Sequence, residues 1–120
     1  MTIQDLIGNY TVIGANQDDQ DISYKGFLTL SINESNQILA EWTIHKNQKQ
    51  IGIGFFKDNV LVINFQYVGI DAEIYKGTVV YKCISKDVLD GFWSEELGDP
   101  NYLGTELCYL CRNKWNLLEW

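Results

Sequence analysis

The feature that most constrains the fold is a series of about eight short segments in which apolar and polar residues alternate, separated by clusters of turn-forming residues. In the third segment Ile38, Trp42 and Ile44 share one face. Glu41 and Thr43 share the other face. Because successive side chains of a strand point to opposite faces of the sheet, each segment is predicted to be a β-strand. The predicted strands are 8–14, 25–32, 37–45, 50–56, 60–67, 74–84, 88–94 and 104–112.

The connections between these strands are too short for crossover helices, so neighbouring strands should pair antiparallel. An open sheet of about eight strands would leave two unpaired edges, and closure into a barrel removes both of them. We therefore expect an all-β chain that forms a single antiparallel up-and-down barrel, with a two-sheet β-sandwich as the alternative. The length of 120 residues fits one domain covering 1–120, in which 113–120 form a C-terminal tail.

The net charge of −7 limits the partners of the chain. An acidic protein repels nucleic-acid phosphates and anionic lipid surfaces, so neither a nucleic acid nor a membrane is an expected partner. A cationic ligand or a basic protein stays compatible with this charge.

The cysteines and the start of the chain favour a cytoplasmic location. The three cysteines are an odd number, which does not complete a disulfide framework. The first residues lack the basic and apolar regions of a signal peptide. No apolar segment approaches the ~18 residues of a membrane span. Reduced thiols in a reducing compartment are therefore expected.

Short motifs at the start and end of the strand series resemble those of a known group of barrels. They are Gly8-Asn9-Tyr10, Leu89-Asp90-Gly91-Phe92-Trp93, Gly104-Thr105-Glu106 and Arg112. In this layout the chain resembles the calycin-type barrels, the lipocalin and avidin-like group, although Tyr10 stands where those families place Trp. The resemblance implies a barrel that binds small, often apolar molecules in its interior, with Arg112 packed against Tyr10.

Four aromatic residues are predicted by alternation to face the barrel interior, namely Tyr10, Trp42, Tyr81 and Trp93. They either line a cavity or fill the barrel, because aromatic side chains are also good core material. The glycines on the predicted inner faces leave the same two alternatives open. Each glycine either creates space or admits a neighbouring ring. The four positions are Gly52, Gly54, Gly77 and Gly91.

Glu106 and Arg112 share one face of the last predicted strand, and the sequence leaves open whether that face points inward or outward. An inward carboxylate would need partners such as tyrosine hydroxyls, an arginine or a ligand. The predicted ligand-binding set is therefore Tyr10, Trp42, Tyr81, Trp93, Glu106 and Arg112.

The chain shows no catalytic or metal-binding motif. Cys108 and Cys111 have C-x-x-C spacing, but residues three apart on a strand point to opposite faces of the sheet. His45, at the end of a predicted strand, is the only histidine, which leaves a zinc site without enough ligands. No catalytic residue, metal or cofactor is therefore predicted.

Three functional hypotheses follow, in this order. The first is a small cytoplasmic barrel that binds a small, partly apolar ligand in its interior. The second is an acidic interaction protein, of the inhibitor or immunity type, whose outer carboxylates bind a basic protein. The third is an enzyme in which Glu106 acts as an acid or base. A homodimer is a further alternative, with Trp115 and Trp120 of the tail at its contact.

Overall fold

The computed structural model describes residues 1–17 and 23–111. A single 3-10 helical turn, Ile3–Leu6, precedes eight β-strands. The strands are β1 (Gly8–Ala15), β2 (Ser23–Ile32), β3 (Ile38–Ile44), β4 (Gln48–Lys57), β5 (Val60–Val68), β6 (Ile74–Cys83), β7 (Val88–Glu95) and β8 (Gly104–Leu110). The expected all-β fold is confirmed. No helix in the described ranges has the length and apolar content to cross a membrane.

Each strand pairs antiparallel with the next one along the chain, and β1 also pairs antiparallel with β8. The closing ladder places Tyr10 opposite Leu110 and Gly14 opposite Glu106. Closure leaves no strand edge unpaired, which is how a sheet of this size avoids association with other chains. The up-and-down barrel is therefore confirmed, and the β-sandwich alternative was wrong.

The strands differ from the predicted ranges by one or two residues at their ends, and the starts of β4 and β2 each lie two residues earlier than predicted. At β4 the reason is a β3–β4 turn that is tighter than expected. His45 and Lys46 adopt positive φ angles of 59° and 106°, which reverse the chain directly after Ile44. Gln48 can then pair with Ile44, so β4 begins at residue 48 rather than 50. β2 begins at Ser23 rather than at residue 25, because Ser23 and Tyr24 pair with Ala15 and Gly14 of β1. The predicted C-terminal tail 113–120 lies outside the described residues, as does Arg112 at the end of the last predicted strand.

The two ends of the barrel differ. The connections β2–β3, β4–β5 and β6–β7 lie at one end together with the 3-10 turn, and this is the closed end. There Leu6 is only 1% exposed, and the buried Tyr10 hydroxyl donates a hydrogen bond of 2.7 Å to the Leu6 carbonyl oxygen. The connections β1–β2, β3–β4, β5–β6 and β7–β8 lie at the other end, the open end.

Tyr10→Phe should destabilise the protein because it leaves the buried Leu6 carbonyl without this donor. We expect a loss of about 1–3 kcal/mol in the free energy of unfolding, measured by urea denaturation. Tyr109→Phe is the matched control, since Tyr109 lies exposed on the outer face of β8 and should change the free energy by less than about 0.5 kcal/mol. Equal losses in the two variants would show that the Tyr10–Leu6 bond does not hold the closed end.

Candidate functional site

A cavity of about 200 Å³ occupies the open end of the barrel. Five aromatic side chains line it: Tyr24, Trp42, Phe65, Tyr67 and Trp93. The polar groups that line it are Asn16, His45, Gln48, Gln50, Glu95 and Glu106. The sequence left open whether the interior is filled or hollow. The interior is filled at the closed end and hollow at the open end.

The floor of this cavity holds a buried carboxyl group, that of Glu106, which is 6% exposed. Its Oε1 accepts hydrogen bonds from the Tyr81 hydroxyl at 2.6 Å and from Trp42 Nε1 at 3.1 Å. Its Oε2 accepts one from the Tyr24 hydroxyl at 2.7 Å. The Cys108 thiol lies 3.6 Å from Oε1. We call these five residues the Glu106 cluster. Glu106 therefore points into the barrel, which settles the question of inward or outward orientation that the sequence left open.

Glycines on neighbouring strands make room for this cluster. Glu106 lies opposite Gly14 of β1 and opposite Gly91 of β7. A Cβ atom at Gly14 would overlap the end of the Tyr24 ring, and one at Gly91 would lie 2.5 Å from Tyr81 Cδ1. Both rings therefore reach the carboxyl group across positions that have no side chain. For Gly91, and for Gly77 beside Phe65, the alternative that a ring fills the glycine position is correct.

Burial and hydrogen bonding act in opposite directions on Glu106. Loss of hydration raises the pKa of its carboxyl group above the ordinary value, and the bonds from Tyr81, Tyr24 and Trp42 partly offset that rise. The same surroundings raise the pKa of the Tyr24 and Tyr81 hydroxyls, mainly through burial. Both tyrosines therefore stay protonated and act as donors. Among the residues that the structure describes, no cationic side chain forms an ion pair with Glu106.

The aromatic wall is a chain of edge-to-face contacts. The Trp42 and Phe65 ring centroids are 6.0 Å apart at 67°, and those of Phe65 and Trp93 are 6.4 Å apart at 82°. The Trp93 ring lies over Gly104, where any side chain would collide with it. Trp93 Nε1 is buried and makes no hydrogen bond of normal geometry within 1–17 and 23–111. It is directed toward the Tyr24 hydroxyl and offsets part of the rise that burial causes in the pKa of that hydroxyl.

The mouth of the cavity carries a second carboxylate. Glu95, the last residue of β7, accepts a hydrogen bond of 2.6 Å from the Tyr67 hydroxyl. Tyr67 in turn stacks on Tyr75, with ring centroids 5.5 Å apart. Beside Tyr67, Gln50 of the neighbouring strand β4 donates from Nε2 to Gln48 Oε1 at 2.9 Å. The mouth is therefore polar, whereas the wall below it is aromatic.

Gln17 fastens one side of the mouth. Its side chain donates to the Asp99 carbonyl oxygen at 2.8 Å and to Ser94 Oγ at 3.2 Å. Its Oε1 accepts a hydrogen bond of 3.2 Å from the Glu95 backbone amide. Gln17 is only 5% exposed, although it lies in a connection between strands. These bonds join the end of β1 to the β7–β8 connection.

The structure brings together only part of the predicted ligand-binding set. Trp42, Trp93 and Glu106 line the cavity. Tyr81 bonds to Glu106 but is fully buried beneath the cavity. Tyr10 lies at the closed end and bonds to Leu6 instead. Arg112 and its predicted contact with Tyr10 are outside the described part of the chain.

Several residues at this site escaped the sequence analysis, namely Tyr24, Phe65, Tyr67 and Glu95. Tyr24 fell outside the predicted second strand by one residue. Extending that strand would have placed Tyr24 on the same face as Leu28, two alternations away. Glu95 likewise fell one residue outside the predicted seventh strand, and extending that strand would have placed Glu95 on the same face as Trp93. The single histidine, His45, is exposed at the mouth, and its ring meets the edge of Tyr24 at 6.2 Å.

Comparison with solved structures bears on the fold. No family model and no curated protein matches the chain. A redesigned β-barrel, b11L5F_LGL, superimposes with a TM-score of 0.71 at 15% identity, covering 92% of this chain and 95% of that one. The chain therefore shares the closed eight-stranded barrel fold of that protein. The expected resemblance is thereby confirmed for the fold, and no subfamily is identified.

Two further redesigned β-barrels give similar results. The barrel mFAP1, bound to DFHBI, has a TM-score of 0.65 at 20% identity, covering 92% of this chain and 97% of that one. The barrel mFAP0, also bound to DFHBI, has a TM-score of 0.67 at 20% identity, covering 88% and 99% of the two chains. At such identities the likeness shows the shared fold alone.

The raised pKa of Glu106 predicts a pH-dependent stability that Glu106→Gln should remove. Between the ordinary value of 4.5 and the raised pKa, the folded protein binds more protons than the unfolded chain. Stability from this group is therefore complete below about pH 4.5 and is lost as pH rises through the raised pKa. The free energy of unfolding of the wild type, relative to Glu106→Gln, should fall by about 1.4 kcal/mol for each pH unit by which the pKa is raised.

Urea denaturation of both proteins from pH 4 to pH 8 measures this difference, and the variant serves as the control for every other titrating group. A difference that is constant over this range, or that grows with pH, would contradict the raised pKa.

Proposed function

We propose that this barrel binds a small, partly apolar ligand in the cavity at its open end. The observation that carries the proposal is a cavity of about 200 Å³ with aromatic walls and a buried carboxyl group, that of Glu106, at its floor. Ligand sites typically combine apolar walls with a few converging polar groups. Because sites for drug-sized ligands measure roughly 300–1,000 Å³, the ligand should be smaller than a drug or a lipid.

Two features of the site support ligand binding rather than simple packing. Within residues 1–17 and 23–111, Trp93 Nε1 is a buried donor without a hydrogen bond of normal geometry, and buried donors in folded proteins normally have an acceptor. A ligand with an acceptor atom would supply one. Barrels of similar fold give further support, since mFAP1 and mFAP0 are both bound to DFHBI. Barrels of this shape can therefore bind a ligand.

The second hypothesis, an acidic protein that binds a basic partner, rests on the net charge of −7. A fully packed interior would have favoured it, and the cavity at the open end favours ligand binding instead. We place the protein in the cytoplasm as part of this proposal, with support from Cys83, Cys108 and Cys111, which are all free thiols.

The direct test is native mass spectrometry of the protein purified from its own host, repeated after denaturation. We expect a mass excess in the native spectrum that disappears on denaturation, and its size gives the mass of the ligand. A bare mass under conditions that preserve the fold would contradict the proposal.

Trp93→Leu should reduce the fraction of protein that carries this ligand while leaving the barrel folded. The substitution removes aromatic surface from the cavity wall, which should weaken binding by about 1–3 kcal/mol. Phe92→Leu is the matched control, because Phe92 is the neighbouring residue on β7 and lies on the outer face of the barrel. Circular dichroism checks the fold of both variants, and equal occupancy in the two native spectra would exclude Trp93 from the site.

A further inference from the structure

We infer that the ligand of this cavity is a small organic cation, such as a quaternary or alkylated ammonium compound. This inference rests on the proposed function and names the chemical class of the ligand. Two independent properties of the cavity lead to it: the number of aromatic faces, and the sign of the charges that line it.

Five aromatic rings from four of the eight strands line the cavity. The rings belong to Tyr24 of β2, Trp42 of β3, Phe65 and Tyr67 of β5, and Trp93 of β7. Trp42, Phe65 and Trp93 are in mutual edge-to-face contact, so different rings present differently oriented faces and edges to the space. The face of an aromatic ring is electronegative, and a cation enclosed by several such rings is attracted to each of them. An aromatic enclosure of this kind suits a quaternary ammonium group.

The ionisable groups of the cavity are predominantly acidic. Glu106 lies at the floor and Glu95 at the mouth, and the lining includes no lysine or arginine within the described ranges. His45 is the one basic side chain that lines it, and it is exposed at the mouth. The site thus contains two carboxyl groups without a permanent positive charge beside them.

Two lysines near the open end, Lys49 and Lys76, lie on the outer face of the barrel. Lys49 of β4 lies on the outer face, where its Nζ donates to Thr43 Oγ1 at 3.3 Å. Lys76 of β6 is also exposed on the outside. The one ion pair recorded for the described residues joins Lys86 to Asp5 at the closed end. Neither cavity carboxyl group is therefore neutralised by the protein residues that the structure describes.

A cation compensates this arrangement better than a neutral or anionic ligand does. A neutral apolar ligand would displace water from the Glu95 carboxylate at the mouth without supplying a charge or hydrogen bond in its place, which is unfavourable. An anion would be repelled by the Glu95 carboxylate and by the ionised form of Glu106. A cation attracted to both carboxyl groups gains in addition from the rings of Trp42, Trp93 and their neighbours.

Matched pairs of probes that differ only in charge test the inference. The first pair is choline and 3,3-dimethylbutan-1-ol, in which carbon replaces the charged nitrogen. The second, larger pair is 3-hydroxyphenyltrimethylammonium and 3-tert-butylphenol. Titration of the wild-type protein, followed by calorimetry and by NMR shifts of the indole N–H signals, should show at least one cation binding about tenfold or more tightly than its neutral partner.

The outcomes separate this inference from the proposed function. If the neutral probes bind as well as the cations or better, the ligand class is wrong, whereas binding in the cavity stands. If none of the four probes binds, the cation inference is overturned, and the native mass spectrum decides separately whether the protein carries another ligand.

Glu95→Gln tests the contribution of charge with little change in shape. We expect the preference for a cation over its neutral partner to fall about fivefold, as the loss of one nearby carboxylate predicts. Glu96→Gln is the matched control, because Glu96 follows directly in the chain and is exposed outside the cavity. An unchanged preference in Glu95→Gln, or an equal fall in both variants, would overturn the role assigned to the charge at the mouth.

Discussion

The buried carboxyl group of Glu106 is the interaction on which the organisation of the interior depends. Its hydrogen-bond donors come from Tyr24 on β2, Trp42 on β3 and Tyr81 on β6, so one side chain of β8 connects opposite walls of the barrel. Burying a carboxyl group is unfavourable unless its oxygens are hydrogen-bonded, and here each oxygen has at least one strong donor. A network of this kind specifies one arrangement of the surrounding rings, because any other arrangement leaves the carboxyl group without its donors.

The Glu106 cluster also divides the interior into two parts. Toward the closed end, Tyr10, Leu28 and Leu89 are fully buried and fill the barrel. Toward the open end, the rings of Trp42 and Trp93 stand around a space that they do not fill. The position of the division depends on the inward glycines, since Gly14 and Gly91 admit the two phenol rings that bond to Glu106. Larger residues at these two positions would displace the donors and change the depth of the cavity.

Much of the fold could be predicted from the sequence, because the period of two in each strand reports directly which side chains face inward. Alternation identified the inward face of Trp42, Tyr81 and Trp93, and the short connections indicated an antiparallel barrel. Alternation gives the face of a residue but not its height along the barrel axis. Tyr10 and Trp42 share the inward face, yet Tyr10 lies at the closed end and Trp42 beside the cavity. Height depends on the register between strands, which no local pattern contains. The predicted start of β2 missed Tyr24 for the same reason, because Tyr24 belongs to the strand through its pairing with Gly14 of β1.

The three hydrogen bonds made by Gln17 hold one part of the barrel rim in place. They hold the end of β1 against the β7–β8 connection and pass over the start of β8, so this part of the rim cannot open without breaking three hydrogen bonds. The opposite part of the rim lies between the β3–β4 turn and the end of β5. It is bordered by side chains such as Gln48 and Tyr67, and not by a connection that side-chain hydrogen bonds hold in place. Among the described residues, the rim on the side of β4 and β5 is therefore bordered by side chains, whose rotation can change the opening without movement of the strands.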